Sequence, residues 1–172
     1  MPNTWVVAHR GASGYAPENT MAAFRRAVEL GARFIETDLH LSRDAQLVAI
    51  HDNTLDRTTN GHGNVHDLTL AQLRELDAGS WYGPQFAGER IPTIEEIVRF
   101  AREADVVFYL EVKAGTVWGV EHALVSALRL AQEAKHAMLL SFDLGVLSNV
   151  RRLDPFLKIG RASCRERVCQ YV

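Results

Sequence analysis

Apolar and polar positions fall in blocks along this chain, and the period changes from block to block. Trp5, Val6, Val7 and Ala8 make a short apolar run of buried-strand length, closed by His9, Arg10 and Gly11. Residues 11–17 hold Gly11, Gly14 and Pro17 and read as a loop. Met21, Phe24, Ala27 and Val28 then recur at helical spacing, with Asn19 or Thr20 available as the cap and Gly31 as the stop. A β-rich run follows at 34–39, with Glu36 and Asp38 at alternate positions, and another apolar run at 47–50 ends in His51 and Asp52. Helix patterns at 93–104 and 120–133 alternate with strand patterns at 106–112 and 137–142. Strand and helix in alternation predict an α/β fold on a parallel sheet.

Residues 53–92 break this rhythm. They are polar, carry glycines at 61, 63, 79, 83 and 88, and show only a short helix pattern at 70–76. A segment of that length between regular elements reads as a functional insertion. Trp81, Tyr82 and Phe86 are expected to be its own small core.

Composition narrows the class. With 172 residues, 47% of them hydrophobic and 23% charged, the chain is long enough for a single domain with a real core. No run of about 18 apolar residues exists, so no spanning helix and no stable membrane insertion are expected. The first residues lack the pattern of a secretory signal, and a cytoplasmic location is expected. The formal charge is −2, and the one basic cluster lies in the last fourteen residues, so nucleic acid is not an expected partner. Both cysteines, Cys164 and Cys169, lie in that same stretch. The body therefore offers neither a disulfide framework nor a thiolate metal site, which fits a reducing compartment.

Chemistry in α/β proteins gathers at the carboxyl ends of parallel strands. Each predicted strand ends in polar residues: His9 and Arg10, Glu36 and Asp38, His51 and Asp52, Glu111 and Lys113, Ser141. Side chains two apart on a strand share a face, so Glu36 projects with Asp38, and Glu111 with Lys113. Carboxylates within apolar strands are costly to bury without a cation, and three from two strands, with no thiol at hand, point to a hard divalent ion, Mg²⁺ or Ca²⁺. Two histidines at the same rim can give and take protons, while Arg10 and Lys113 suit an anionic group. Together they make a site for cleaving a phosphate ester. His40 shares the parity of Glu36 and Asp38 but lies one step past the strand end and is expected to be exposed; His62, His66, His122 and His136 are read as structural.

The runs HRGASGYAPENT (9–20), ETD (36–38), HD (51–52), LDRTTNG (55–61), IPT (91–93) and LEVK (110–113) resemble, in order and spacing, the glycerophosphodiester phosphodiesterases. The resemblance implies a TIM-type (β/α)8 barrel, with 53–92 as the family's insertion after the second strand. It implies Glu36, Asp38 and Glu111 as ligands of one divalent cation, His9 and His51 as the acid/base pair, Arg10 and Lys113 as phosphate-binding residues, and Glu18 and Asn19 as their support. The implied substrate is a small glycerophosphodiester, hydrolysed to an alcohol and glycerol 3-phosphate; the oligomeric state is left open.

Two features depart from the pattern. Ala45 stands in the hairpin of residues 42–45 where the family usually has glycine. A TIM barrel takes eight strands in about 250 residues, whereas five strand patterns precede Lys158. The barrel portion is therefore expected at 1–158 and to be incomplete. Residues 159–172, including Arg161-Ala162-Ser163-Cys164-Arg165-Glu166-Arg167-Val168, resemble a translated sequencing adapter. The alternatives are an inactive fragment that at most binds metal or phosphate, and a related secreted phospholipase, which would carry a signal and disulfides.

Overall fold

The computed structural model describes residues 6–113, 119–131 and 134–162. Trp5, the expected helix end at Glu133, and the residues from 163 onward with Cys164 and Cys169 lie outside the described residues.

Five strands form a parallel ladder: β1 (Val7–His9), β2 (Phe34–Leu41), β4 (Val107–Val112), β5 (Ala137–Ser141) and β6 (Ile159–Arg161), each beside the next in chain order. A doubly wound sheet reverses its strand order; this one does not, as in a barrel. The helices α1 (Met21–Glu29), α3 (Ile94–Ala104), α4 (Val120–Ala131) and α5 (Leu144–Leu153) return the chain between strands. Ala8, Ile35, Leu39, Phe108, Leu110, Val112 and Leu139 pack under the helices with Phe24, Ile97, Leu124 and Val150. The opposite face carries Phe34, Tyr109, Met138 and Leu140, all only half-buried. These four helices thus pack on one face, and the molecule is the first part of a TIM barrel whose interior is open on one side.

Local sequence explains the ends of the elements. Thr20 caps α1 by accepting from the Ala23 N–H, while Gly31, at φ 88°, closes it. Gly31 and Ala32 donate back to the carbonyls of Val28 and Ala27, a Schellman arrangement that a left-handed glycine makes cheap. At the start of α3, Thr93 and Glu96 satisfy one another's backbone N–H groups in a capping box.

Four expectations are corrected here. The run at 47–50 is not part of the parallel set: β3 (Leu47–Ala49) is antiparallel to β2, pairing Leu39 with Ala49 and Leu41 with Leu47. β2 runs past the rim and β3 comes back down beside it, with the Ile50 N–H donating to the Asp38 carbonyl. Four of the five strands expected before Lys158 are thus parallel, and the fifth parallel strand, β6, falls in the stretch from 159 that sequence set apart as a tail, where it pairs with β5. In the insertion, α2 covers only Leu70–Leu73, and its core is aliphatic: Val48, Ile50, Leu55, Val65, Leu73, Ala78 and Ile91. Trp81, Tyr82 and Phe86 stack edge to face, but Trp81 is 41% exposed and the others are half-buried, so they cover that core without forming it. The insertion leaves and rejoins the sheet at neighbouring points, since Ala49 N–H donates to the Pro92 carbonyl and Val48 bridges Thr93.

Candidate active site

His9 ends β1 opposite Glu36 on β2, and Asp38 on β2 stands opposite Glu111 on β4. Parallel register alone therefore brings His9 and the three carboxylates onto three adjacent strands. Carboxylate oxygens of Glu36, Asp38 and Glu111 lie within 4.8 Å of one another, and all three residues are buried. Burial, then the charge of Asp38, pushes the Glu36 carboxyl up to about 8. Burial also works against the Asp38 carboxylate, but Lys113 at 2.6 Å, Asn19 and Arg10 together outweigh it and hold this carboxyl below its ordinary value. Lys113 also contacts Glu111 at 2.5 Å.

These residues fit a divalent cation. Glu36 Oε1 is buried with no hydrogen-bond partner, a state that is costly for a carboxylate oxygen and is relieved by a cation. The other oxygen, Oε2, accepts the Arg10 backbone N–H at 3.0 Å and lies 3.8 Å from His9 Nε2. Asp38 Oδ1 and Arg10 Nε also lack a directed hydrogen bond, but each has an ion-pair contact, at 2.6 Å to Lys113 and 3.3 Å to Asp38 Oδ2. An all-oxygen donor set of this kind suits a hard ion.

The loop after β1 is shaped by two left-handed residues that are not glycine, Arg10 at φ 57° and Asn19 at φ 55°. Such conformations cost about 1–2 kcal/mol each and gather at functional sites. Here the first aims the Arg10 N–H at Glu36, and the Asn19 N–H donates to the Arg10 carbonyl at 3.0 Å. The Asn19 amide then donates to Asp38 Oδ2 at 2.9 Å and accepts from the Thr37 hydroxyl at 2.7 Å. Gly11 must stay glycine, because φ is 80° and a Cβ would meet the Ala23 backbone at 2.7 Å.

His51 reaches the rim two residues beyond the end of β3. Its Nδ1 lies 2.6 Å from Asp52 Oδ1. Hydrogen bonds from Arg57 hold the Asp52 carboxyl well below its usual range, so it is ionised and only accepts. Nδ1 therefore carries the ring proton, and Nε2 is left for chemistry. His9 is lowered by burial and by its neighbour Arg10, which keeps that ring neutral near pH 7.

All nine residues singled out by sequence come to this rim or support it. Arg10 and Lys113 point at carboxylates: Arg10 at Glu18 (3.0 Å) and Asp38, Lys113 at Asp38 and Glu111. His40 departs from expectation. β2 extends to Leu41, so His40 lies inside the strand, 5% exposed, with Nε2 3.1 Å from the His51 carbonyl, and burial lowers its pKa. His62 and His66 face Asp56 and Asp67 at the surface, and His136 Nδ1 meets the Val106 carbonyl. Sequence reasoning gave no role to Asp52 or Arg57; the adjacency of His51 and Asp52 was the signal for the first, and the place of Arg57 within the LDRTTNG run was the signal for the second.

A model of the glycerophosphoryl diester phosphodiesterase family matches residues 9–166. A glycerophosphodiester phosphodiesterase of Caldanaerobacter subterraneus subsp. tengcongensis is 46% identical over 159 residues, 91% of this chain and 65% of the relative. The crystal structure of the Agrobacterium tumefaciens glycerophosphodiester phosphodiesterase gives a TM-score of 0.83 at 33% identity, over 91% of this chain and 65% of that one. A phosphodiesterase of Oleispira antarctica, solved in complex with the product sn-glycerol-3-phosphate, gives 0.81 at 35% identity, over 92% and 64%. The chain spans just under two thirds of the length of these relatives.

Proposed function

This chain belongs to the glycerophosphoryl diester phosphodiesterase family, and on that premise we propose that it hydrolyses small glycerophosphodiesters to an alcohol and glycerol 3-phosphate. The observation that carries this reading is the meeting of His9 with Glu36, Asp38 and Glu111 at one rim, to which the chain just beyond β3 adds His51. Glu36, Asp38 and Glu111 would hold one divalent cation, Mg²⁺ or Ca²⁺. Bound there, it would supply positive charge for the phosphate oxygens.

The remaining work falls to side chains of this chain. Arg10 and Lys113 add fixed positive charge for the phosphate. A water oxygen forms a new bond to phosphorus as the bond to the alcohol oxygen breaks, so one group must take a proton and another must give one. His9, held neutral, takes the proton. His51, whose Nδ1–H is fixed on the ionised Asp52, gives one from Nε2 to the departing oxygen, since Asp52 offsets the charge of the protonated ring. Glu18 and Asn19 support Arg10 and Asp38. With no thiol before Cys164 and no helix among the described residues long and apolar enough to cross a membrane, we place the enzyme in the cytoplasm, which cell fractionation tests.

The deciding experiment is release of glycerol 3-phosphate from glycerophosphocholine, with and without EDTA, by this chain and its His9→Ala variant. Activity that needs both metal and His9 is the expected result, and activity indifferent to both overturns the reading. A p-nitrophenyl phosphodiester, whose leaving group needs no proton, should restore His51→Ala but not His9→Ala. The half-buried interior face, with Phe34, Tyr109, Met138 and Leu140, favours one second reading, a fragment that binds metal or phosphate without turnover. Binding of glycerol 3-phosphate without hydrolysis would select it.

A further inference from the structure

Arg57, in the insertion, spreads its guanidinium across two carboxylates. Nε and Nη2 donate to Asp52 at 2.7 and 3.1 Å, and Nη1 and Nη2 donate to Glu18 at 3.0 and 2.7 Å. The carboxylate oxygens that Nη2 touches are both shared. Asp52 Oδ1 is also the partner of His51 Nδ1, and Glu18 Oε1 also accepts from Arg10 at 3.0 Å. A chain of hydrogen bonds thus runs from His51 through Asp52, Arg57 and Glu18 to Arg10, alternating in charge from Asp52 onward. Hydrogen bonds from Arg57 keep Asp52 ionised; burial disfavours the Glu18 carboxylate, but Arg57 and Arg10 together outweigh it.

We propose that Arg57 is a positioning residue for the phosphodiesterase site: one planar fork fixes, relative to each other, the orientation of His51, read above as a proton donor, and of Arg10, read above as a phosphate-binding residue. The inference rests on the functional reading above. A plain tether between insertion and barrel needs no such geometry, and one exists in Arg25, which meets Glu89 at 3.2 Å and touches none of these groups. Lysine cannot replace the fork, since an ammonium presents a point charge and not a planar pair of donors.

The two arms of the fork predict different kinetic signatures. With glycerophosphocholine as substrate, Asp52→Asn should lower kcat by about 10- to 100-fold with KM within about twofold, a typical loss for a partner that orients a functional side chain. Glu18→Gln should raise KM by about tenfold and leave kcat within about twofold. Arg57→Gln should do both, Arg57→Lys should fail to restore both, and Arg25→Gln should do neither. Arg57→Gln kinetics matching those of Arg25→Gln would overturn the proposal.

A second measurement does not depend on turnover. The His51 Nδ1 proton, assigned in ¹H–¹⁵N spectra by its loss in His51→Asn, should exchange with water at least about tenfold faster in Arg57→Gln, because the carboxylate holding it is freed. The ring proton of His136, buried against the Val106 carbonyl, should be unchanged and controls for general loosening. Unchanged His51 exchange overturns the positioning role. Absence of hydrolysis by the unmutated chain with this exchange pattern intact would overturn the functional reading alone.

Discussion

Ala45 holds a left-handed backbone, φ 58°, in the turn between β2 and β3. An alanine Cβ is strained there and glycine is not, so Ala45→Gly should stabilise the protein by about 1 kcal/mol, read as a higher midpoint in urea with an unchanged slope. A second residue-scale effect concerns acid. Asp52 and Glu18 both titrate below their ordinary values when folded, so below about pH 4.5 the unfolded chain binds more protons than the folded one. Their contribution is complete above that pH and is lost as the pH falls through the folded values. Arg57→Gln should therefore cost about 0.5–1 kcal/mol at pH 7, as for a partly exposed ion-pair network, and the gap between variant and parent should close towards pH 2 in denaturant titrations. At this scale the sequence was most legible where a residue's place follows from strand parity, as for Glu36, Asp38 and Glu111. It was least legible for His40, whose burial depends on how far β2 outlasts its apolar run, and for Arg57, whose partners lie 39 and 5 residues away.

Among the elements, α1 and α3 were legible and their bounds shifted by only a few residues, whereas α5, capped by the Asp143 side chain on the Gly145 N–H, went unread. The capping box of α3 also binds outward: Glu96, besides serving Thr93, takes both terminal nitrogens of Arg74 at 2.8 Å, joining the end of α2 to α3. Thr93→Ala should cost about 1–2 kcal/mol in urea unfolding, the upper end of a lost N-cap, because it loosens that junction as well. Strand direction was harder to read. A run of four apolar residues says buried strand but carries no sign of parallel or antiparallel pairing, which is set by the tight turn at residues 42–46. His51 arrives at the rim for a different reason from His9, although both follow apolar runs.

For the whole molecule, five parallel strands in serial order, with α1, α3, α4 and α5 on one face, make a barrel wall with its inner surface partly open. The wall nevertheless contains the complete carboxylate cluster, because the cluster needs only β2 and β4. A cation that binds the folded chain and not the unfolded one stabilises it by mass action, about 2.7 kcal/mol at a concentration of 100 Kd. Thermal unfolding should shift upward by several degrees with Mg²⁺ or Ca²⁺, and Glu36→Gln should abolish the shift; an equal shift in the variant would place the cation elsewhere.

The hairpin of β2 and β3, with the insertion's two ends meeting at Ala49 and Pro92, divides the site's inheritance. The carboxylates that would hold the cation are written into the wall, whereas His51, Asp52 and Arg57 travel on a loop closed on itself, with its own aliphatic core. A change of sequence in this loop therefore reaches His51 and, through Glu18, Arg10, while the three carboxylates stay on their parallel strands.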